Sequence, residues 1–413
     1  MSTKIKPQTL KGFRDFLPAE KRKRDYVTQK IKKTFELFGF EPLETPTLEY
    51  SEVILGKYGK EADKMVYSFK DKGGRNLSLR YDQTVPTARV LAQYQNSLPK
   101  CFRRYQIQNV FRADKPQKGR YREFTQCDID IFGSTSPIAD AEIIACTYFS
   151  FQNVGFKNII LRLNDRQILF NVLQTYASAK LPTLSIIQTI DKLDKKPQDE
   201  VVQELVTKGL TLKQAQQALQ AIQAAKISDN LQQIINFSQA LGVPETALQF
   251  TPALARGLDY YTGMIFEVIL PEYPLGSFGG GGRYDNLINQ LSGYSIPAVG
   301  IAFGFDRMVE AADELNLIPQ ENTGAKVLIT VFENCEPALT ATAALRQKNI
   351  NAEVFPKPEK IDKQLKYADK KGIPYILMIG PDEAAKNMVT LKDMTTGKQE
   401  TLTLEKAIDV LTR

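Results

Sequence analysis

A change of composition in the middle of the chain limits the possible folds more than any other feature. Between residues 166 and 250 Gln, Leu and Ala dominate, as in LKQAQQALQAIQAAK, and runs of β-branched residues are few. These residues favour helices, and their apolar positions follow helical spacing. Segments typical of strands lie on both sides. We therefore predict a separate helical insertion over residues 166–250. Its glutamines cover a solvated helix face, or the insertion is a lid or a module that contacts RNA.

The segments before the insertion alternate between strand-like runs and turns. Residues 66–80 read as a hairpin that turns at Gly73-Gly74, and two further strand-like runs span 103–111 and 122–132. Strands joined by short turns favour an antiparallel sheet over alternating strand–helix units. The pattern predicts a domain of the α+β class.

The last part of the chain has a third pattern. KVLITVF, NAEVF and IPYILMIG are strand-like, alternate with helical patterns, and precede an expected hairpin over 387–403. This alternation predicts a compact α/β domain of mixed sheet, and a length of 413 residues suits two to three domains at about 150 residues each. The predicted division is a sheet-based domain over 1–165 and 251–320, the helical insertion over 166–250, and the α/β domain over 325–413.

The chain contains no histidine. This excludes Ser-His-Asp and Cys-His nucleophile systems, HExxH zinc sites and imidazole general bases. The four cysteines lack CxxC spacing, so a structural zinc site is not expected, and scattered thiols are typical of cytosolic proteins. The longest apolar stretch is far below the ~20 residues of a membrane span, and the first residues lack a secretory signal. We expect a cytoplasmic protein without a membrane partner.

Basic charge is concentrated in one segment. The chain has a net charge of +7, and residues 100–122 hold many lysines and arginines against the single acid Asp114. A mildly basic balance permits a nucleic-acid partner without requiring one. The segment is either a solvated surface loop or a site for polyanions.

Four arginines lie in motif-like surroundings and are expected on strands and their loops. They are Arg112 in NVFRAD, Arg120 in QKGRYREF, Arg256 in ARGLDYYTG and Arg307 in GFDR. Guanidinium groups stay charged and match phosphate oxygens with forked donors. Phosphoryl and nucleotidyl transfer depend mainly on positioning and charge neutralisation, so such a set can carry them without a titrating base.

The glycine run 279–282 matches neither GxGxxG nor GxxxxGK[ST]. It is therefore neither a dinucleotide fingerprint nor a P-loop. Four glycines in a strand-like context favour a close approach of the backbone to a ligand. The alternative is a flexible hairpin turn.

Six segments together resemble one known family. They are KGFRDFLP near the start, GFEPLETPTLE, FRRYQIQNVFRADKPQKGRYREFTQCDIDIFG, ARGLDYYTGMIFE, SFGGGGRYDNL and AVGIAFGFDR. GFEPLETPTLE resembles motif 1 of class II aminoacyl-tRNA synthetases, the long segment that begins with FRRYQIQ resembles motif 2, and AVGIAFGFDR resembles motif 3. The two stretches with LDYY and GGRYDNL resemble those of the histidyl-tRNA synthetase family, and the C-terminal part resembles its anticodon-binding domain.

The resemblance implies a fold and a reaction. The fold would be a class II antiparallel-sheet catalytic domain with a helical insertion, followed by a C-terminal α/β anticodon-binding domain. The reaction would be ATP-dependent attachment of L-histidine to tRNA(His) through a histidyl-adenylate. ATP would be a substrate, with Mg²⁺ bound mainly through its phosphates and with no metal held by protein side chains. Motif 1 implies a homodimer.

The resemblance also assigns site residues. Arg112 and Arg256 would be catalytic, at the α-phosphate. The residues implied to bind histidine are Asp82, Gln83, Thr84, Arg112, Gln126, Asp130, Arg256, Tyr260, Tyr261 and Tyr284. Those implied to bind ATP are Arg112, Asp114, Arg120, Phe124 and Arg307. Those implied to contact the tRNA acceptor end are Lys115, Gln117 and Lys118.

Within these sets the implied roles differ. Asp130 and Tyr261 would read the two imidazole nitrogens, and Phe124 would stack on adenine. Three places depart from the family pattern: Asp114 stands where Glu is common, Thr125 where many relatives carry His, and LRYDQT where one branch of the family has Pro-Glu-Gly. Two other functions remain open: a non-catalytic histidine-binding regulatory paralogue of the synthetase, and a related synthetase for another small amino acid.

Overall fold

The computed structural model describes residues 6–55, 63–116, 121–194, 196–256, 260–274, 276–320 and 323–412. The chain forms two compact units. The first comprises Met1–Asp15 and Arg24–Ile318, and the second comprises Phe16–Lys23 and Pro319–Arg413. Among the described helices, none combines the length and the apolar composition that crossing a membrane requires.

The first unit is built on two sheets. Its strands are β1 (Glu41–Pro42), β2 (Leu48–Tyr50), β3 (Ser68–Lys70), β4 (Asn76–Leu79), β5 (Phe102–Phe111), β6 (Glu123–Phe132), β7 (Ile160–Asp165), β8 (Leu248–Phe250), β9 (Met264–Ile269), β10 (Gly279–Arg283) and β11 (Ala298–Phe303). The large sheet has the order β1-β5-β6-β11-β10-β9-β7-β8, and the small one β2-β4-β3. Neighbours from β5 to β7 along the large sheet are antiparallel. The predicted antiparallel sheet is confirmed.

Helices connect the strands of the first unit, and the earliest of them begins at Pro18 among residues of the second unit and belongs to the first unit from Arg24 onward. They are Pro18–Leu37, Ser51–Ile54, Thr84–Gln93, Pro137–Val154, Arg166–Leu173, Thr183–Ile190, Gln198–Thr207, Leu212–Gln223, Asp229–Ala240, Leu287–Ser292 and Phe305–Glu314. Local sequence explains several boundaries. Thr211 and Gln214 form a capping box, and the Ser228 side chain caps Asp229–Ala240 by accepting from the Leu231 amide.

Helices occupy most of the region 166–250, and the last of them shares an apolar core with the sheet. Leu231 and Ile234 of that helix belong to the same apolar core as Ile144 and Phe151 of Pro137–Val154. The last residues of the region form β8, which pairs in parallel with β7. The helix Pro137–Val154 is apolar on most of its surface, so it lacks the one-sided spacing that would have revealed it in the sequence.

The core lies on one face of the large sheet because side chains alternate along each strand. On β6, Cys127, Ile129 and Ile131 point into this core, whereas the residues between them are polar. Phe266 of β9 and Val299 of β11 lie in the same core. The opposite face carries the polar side chains of β6 together with part of a second apolar cluster.

The second unit contains a five-stranded mixed sheet. Its strands are β12 (Val327–Ile329), β13 (Ala352–Val354), β14 (Tyr375–Met378), β15 (Val389–Asp393) and β16 (Gln399–Leu402), in the order β13-β12-β14-β15-β16. β12 pairs in parallel with β13 and β14, and β15 pairs antiparallel with β14 and β16. The helices are Glu336–Gln347, Ile361–Lys371, Pro381–Ala385 and Leu404–Thr412. The predicted α/β domain of mixed sheet is confirmed.

Candidate functional site

The face of the large sheet opposite its core carries polar side chains in cross-strand register. On β6 these side chains occupy alternate positions, so they share one face. Each lies opposite a polar residue of β5, in the pairs Gln108–Gln126, Gln106–Asp128 and Arg104–Asp130. The side chains of the last two pairs are almost entirely buried. A row of buried polar groups this long requires partners or a ligand.

Glycines leave the neighbouring part of this face without side chains. A Cβ at Gly280 of β10 would lie 1.5 Å from Arg256 Nη1, and a Cβ at Gly300 of β11 would lie 1.9 Å from Asp130 Oδ1. The side chains of Arg256 and Asp130 therefore lie directly on glycine backbone. The run 279–282 is part of a central strand, so the alternative of a flexible hairpin turn was wrong.

Arg104 and Tyr284 hold the carboxylate of Asp130. Arg104 is 1% exposed, and its Nη2 lies 2.6 Å from Asp130 Oδ2 and 3.8 Å from Asp128 Oδ2. The Tyr284 hydroxyl donates a hydrogen bond to Asp130 Oδ1. Tyr260 packs against both Tyr261 and Tyr284, with ring centroids 4.6 and 5.9 Å apart. The arrangement places a fixed acid among aromatic rings.

Burial shifts the protonation of this group. It raises the pKa of Asp128 to about 8, although Arg104 opposes the shift. Burial also raises the pKa of Asp130, against Arg104 and the Tyr284 hydrogen bond. Burial alone would lower the pKa of Arg104, but the charges of Asp130 and Asp128 raise it. One permanent guanidinium charge therefore serves two carboxyl groups, and Asp128 retains a proton near neutral pH.

Two amide side chains present unpaired acceptors beside this group. Gln83 Nε2 donates to the backbone oxygens of Gln126 and Gln108, at 3.0 and 3.2 Å. Gln126 Nε2 donates to Asp128 Oδ2 at 2.7 Å. Within the described residues, the Oε1 atoms of Gln83 and Gln126 are buried without a hydrogen-bond partner. Buried acceptors of this kind suit a cationic donor.

Asp82 and Thr84 lie at the start of the helix Thr84–Gln93. Asp82 Oδ1 accepts from the Val85 amide at 3.2 Å, which satisfies one of the free donors at that helix end. The charge of Asp82 also contributes to raising the pKa of Asp130. The carboxylate of Asp82 is therefore electrostatically coupled to the buried group.

The described arginines of the predicted set occupy different elements. Arg112 follows β5, donates from Nε to the Tyr81 oxygen at 3.1 Å, and has its Cζ 4.4 Å from the Tyr81 ring and 5.1 Å from the Phe124 ring. Arg256 lies on Gly280, and its Nε is buried without a hydrogen-bond partner within the described residues. Although burial alone would lower the pKa of Arg256, the hydroxyls of Tyr261 and Tyr260 raise it.

The position of Arg307 differs from the prediction that all four arginines lie on strands or their loops. Arg307 lies in the first turn of the helix Phe305–Glu314, not on a strand or its loop, and its Nη1 donates to the Ser277 oxygen at 2.9 Å. The reason is that β11 ends at Phe303 and the chain turns directly into a helix after Gly304.

Part of the predicted set lies in the loop between β5 and β6. Lys115 is exposed, and Asp114 is half-buried with its backbone oxygen accepting from Arg122 Nε at 3.1 Å. The remaining predicted loop residues, Gln117, Lys118 and Arg120, lie outside the described residues. In the described part of the chain, no group of three Cys, Asp or Glu side chains is placed to hold a metal ion.

Sequence reasoning missed Arg104 and Asp128. The available signal was the alternation in QCDIDIF, where polar residues at 126, 128 and 130 alternate with apolar ones. Such alternation on a strand predicts one polar face. Applied to RRYQIQN, the same reading places Arg104 on the matching face of the preceding strand.

Sequence reasoning also missed a cluster of charged side chains around Asp306. Arg14 Nη2 lies 2.9 Å from Asp306 Oδ2, and Arg24 forms a second ion pair with the same carboxylate. The Arg14 Cζ lies 3.4 Å from the centroid of the Tyr121 ring, and Arg24 Nη2 donates to Thr125 Oγ1 at 2.8 Å. These contacts tie the first turn of the helix that carries Arg307 to the start of β6.

Replacing Gly280 by alanine is expected to displace Arg256 while the protein still folds. The clash is with the end of a flexible side chain, and a displacement of about 1 Å at a reacting group costs roughly tenfold or more in rate. The measurement is nucleotide-dependent turnover beside a thermal melt.

Gly281→Ala is the matched control. Its Cβ would lie 2.1 Å from the Gly300 backbone oxygen, so we expect loss of stability. An unchanged rate for Gly280→Ala, or an equal fall in melting temperature for both variants, would show that Gly280 does not seat Arg256.

Comparisons with known proteins agree with this geometry. A family pattern described as histidyl-tRNA synthetase matches residues 12–308, and one described as anticodon binding domain matches residues 326–413. A histidine–tRNA ligase of Wolinella succinogenes is 39% identical, with 98% of each chain covered. A histidine–tRNA ligase of Gloeobacter violaceus is 37% identical, with 97% of each chain covered.

A solved structure gives the same result. The histidyl-tRNA synthetase of Nostoc sp. PCC 7120 matches with a TM-score of 0.87 and 30% identity, covering 99% of this chain and 100% of that one. The resemblance predicted from the motifs is confirmed, as is the predicted fold class with its C-terminal anticodon-binding domain. The chain belongs to the histidyl-tRNA synthetase family.

Proposed function

We propose that the chain attaches L-histidine to tRNA(His) in an ATP-dependent reaction through a histidyl-adenylate. One observation carries the proposal: the buried group of Asp130, Tyr284 and Arg104 lies on the same glycine-lined sheet face as Arg256. The group around Asp130 provides a fixed acid for an imidazole, and Arg256 provides a permanent cation for a phosphate. A site with both needs no titrating base of its own.

The reaction has two steps. The histidine carboxylate attacks the α-phosphorus of ATP, the bond to the bridging oxygen breaks, and pyrophosphate leaves. A ribose hydroxyl of the terminal adenosine then attacks the carbonyl carbon of the adenylate, the bond from that carbon to the phosphate oxygen breaks, and AMP leaves with the hydroxyl proton on its phosphate. Both steps develop negative charge on oxygen, which fixed guanidinium groups stabilise better in the transition state than in the ground state.

For ATP, we propose that Arg112 and Arg256 hold the α-phosphate, and that Arg307 and Arg120 hold the distal phosphates. The nearness of Arg112 to the Phe124 ring supports adenine stacking on Phe124 beside that arginine. The nucleotide enters as its Mg²⁺ complex, with the metal bound mainly through phosphate oxygens.

For histidine, we propose that Asp130 and Tyr261 read the imidazole nitrogens and that Tyr260 and Tyr284 line the ring pocket. The remaining proposed contacts surround the α-ammonium group and are Asp82, Gln83, Thr84 and Gln126. The unpaired amide oxygens of Gln83 and Gln126 support this assignment. A ligand without imidazole nitrogens would leave Asp130 unpaired, and selectivity built this way reaches roughly 10⁴-fold.

For tRNA, we propose contacts at two places. The acceptor end meets the loop that contains Lys115, Gln117 and Lys118, and the anticodon meets the domain over 325–413. We retain residues 1–165 with 251–320 as the catalytic domain and 166–250 as its insertion. The reaction takes place in the cytoplasm, which the four free cysteines of the chain support.

We also propose that the enzyme is a homodimer. The small sheet exposes large apolar side chains on one face, with Leu48 40%, Tyr50 50% and Phe69 46% exposed. Leu48 pairs with Leu79, and Tyr50 and Phe69 both pair with Leu77, so the residues form one surface. An apolar face of this kind is typical of an interface between chains.

The test is pyrophosphate–ATP exchange with each amino acid in turn, followed by tRNA charging. We expect exchange with histidine alone and then charging of tRNA(His). Histidine binding without exchange would identify the regulatory paralogue instead. Exchange with a different amino acid would identify a related synthetase of other specificity.

A further inference from the structure

The orientation of the Gln126 amide decides what this side chain offers a ligand. Its Nε2 donates to Asp128 Oδ2 at 2.7 Å, which leaves Oε1 buried and, within the described residues, without a partner. The two ends of an amide have similar size and opposite hydrogen-bonding character. A rotated amide would present an NH₂ group, which repels an ammonium group that the oxygen would bind.

Asp128 is the side chain that fixes this orientation. It is 4% exposed, its Oδ2 accepts the hydrogen bond from Gln126 Nε2, and the Arg104 guanidinium forms a longer ion pair with the same oxygen at 3.8 Å. A proton on this carboxyl therefore sits on Oδ1, so Oδ2 accepts from the amide in either protonation state. The facing side chain, Gln106, is engaged elsewhere, since its Nε2 donates to Thr45 Oγ1 at 2.9 Å.

Arg104 connects Asp128 to Asp130, the residue that we propose reads the imidazole. The guanidinium that lies 3.8 Å from Asp128 lies 2.6 Å from Asp130. Gln126, Asp128 and Asp130 occupy alternate positions on one strand, which fixes their spacing. The acceptor for an ammonium group and the acceptor for an imidazole therefore share one rigid base.

We propose that Asp128 is a positioning residue that determines specificity: by holding the Gln126 amide, it aims an oxygen at the α-ammonium group of the substrate. The proposal rests on the proposed function, because it takes histidine as the ligand of this pocket. It adds a requirement for a free amino group at a set distance from the imidazole.

The test compares two ligands of the full chain by calorimetry, with wild type and Asp128→Asn. Histidinol has the ammonium group and the imidazole, whereas imidazolepropionate has the carboxylate and the imidazole but no ammonium group. An asparagine at this position offers both a donor and an acceptor, so the Gln126 amide can take both orientations. We expect about tenfold weaker histidinol binding, as for loss of one charge-assisted hydrogen bond, and imidazolepropionate binding within about twofold of wild type.

Other outcomes separate the hypotheses. Equal weakening of both ligands would mean a merely structural role for Asp128, and unchanged histidinol binding would mean that it does not position Gln126; either result overturns the proposal. If wild type bound neither ligand, the proposed function itself would fail. Asp128→Ser replaces the carboxyl with a hydroxyl and should give the same ligand pattern if Asp128→Asn does not fold.

A double-mutant cycle gives an independent readout. Gln126→Met removes the amide, so adding Asp128→Asn in that background should change histidinol affinity by less than about twofold. Additive losses would contradict an effect through Gln126.

Discussion

Replacing Arg256 by alanine is expected to slow adenylate formation by about 10²–10³-fold, the usual loss when one preorganised donor to a developing oxyanion is removed. Arg256 lies on Gly280, its pKa is raised by Tyr261 and Tyr260 despite burial, and its Nε has no hydrogen-bond partner within the described residues. Its charge is therefore permanent and already in place before the nucleotide binds. Histidine-dependent pyrophosphate–ATP exchange measures the loss.

Two controls make this result specific. Affinity for tRNA, measured by filter binding, should stay within about twofold of wild type, because the contacts proposed for Arg256 are with the small substrates. Arg162→Ala removes an arginine of β7 on the same sheet, one paired with Glu267 at 3.5 Å, and should leave exchange nearly unchanged. An exchange rate equal to wild type in Arg256→Ala would remove this residue from the catalytic set.

Replacing Arg104 by methionine is expected to destabilise the folded protein by about 3–5 kcal/mol, the usual cost of removing one partner from a buried ion pair. The reason is that Asp128 and Asp130, both buried, would lose their common counter-charge. Urea unfolding at fixed pH measures the change. Arg75→Met is the control, since Arg75 is 63% exposed and pairs with Asp71 on the surface, where ion pairs contribute little.

The loss should depend on pH in a defined direction. Asp128 has a pKa near its ordinary value of 3.8 when unfolded and about 8 when folded, so the folded protein binds the extra proton between these values. Stability from this group is fully present below about pH 4 and is lost as the pH rises through about 8. Without Arg104 both carboxyl pKa values rise further, so Arg104→Met should be most destabilised above pH 8. A pH-independent difference between the two proteins would contradict the shared-charge account.

The sequence predicted the elements better than the contacts between them. Hairpins, the helical region and the C-terminal mixed sheet followed from periodicity and turn residues, which act locally. The packing of Leu231 against the sheet core did not, because it joins segments far apart in the chain. Likewise, Arg104 and Asp128 meet only through the register of β5 and β6, and no local pattern specifies register.

The candidate site shows the same limit. Arg112, Arg256 and Asp130 were proposed from motif resemblance, and the structure supplies their surroundings. A run of glycines in the sequence indicates that some group lies close to the backbone. Only the folded strand identifies that group at Gly280 as the Arg256 guanidinium.

The acid held between Arg104 and Tyr284 has a spectroscopic consequence. A fixed acceptor opposite a substrate ring selects one tautomer of that ring, which nitrogen chemical shifts report directly. Because this chain contributes no imidazole of its own, every imidazole resonance in a spectrum of the complex would come from the bound amino acid. The enzyme therefore adds no histidine signals of its own, and the signals of the bound substrate can be assigned without overlap.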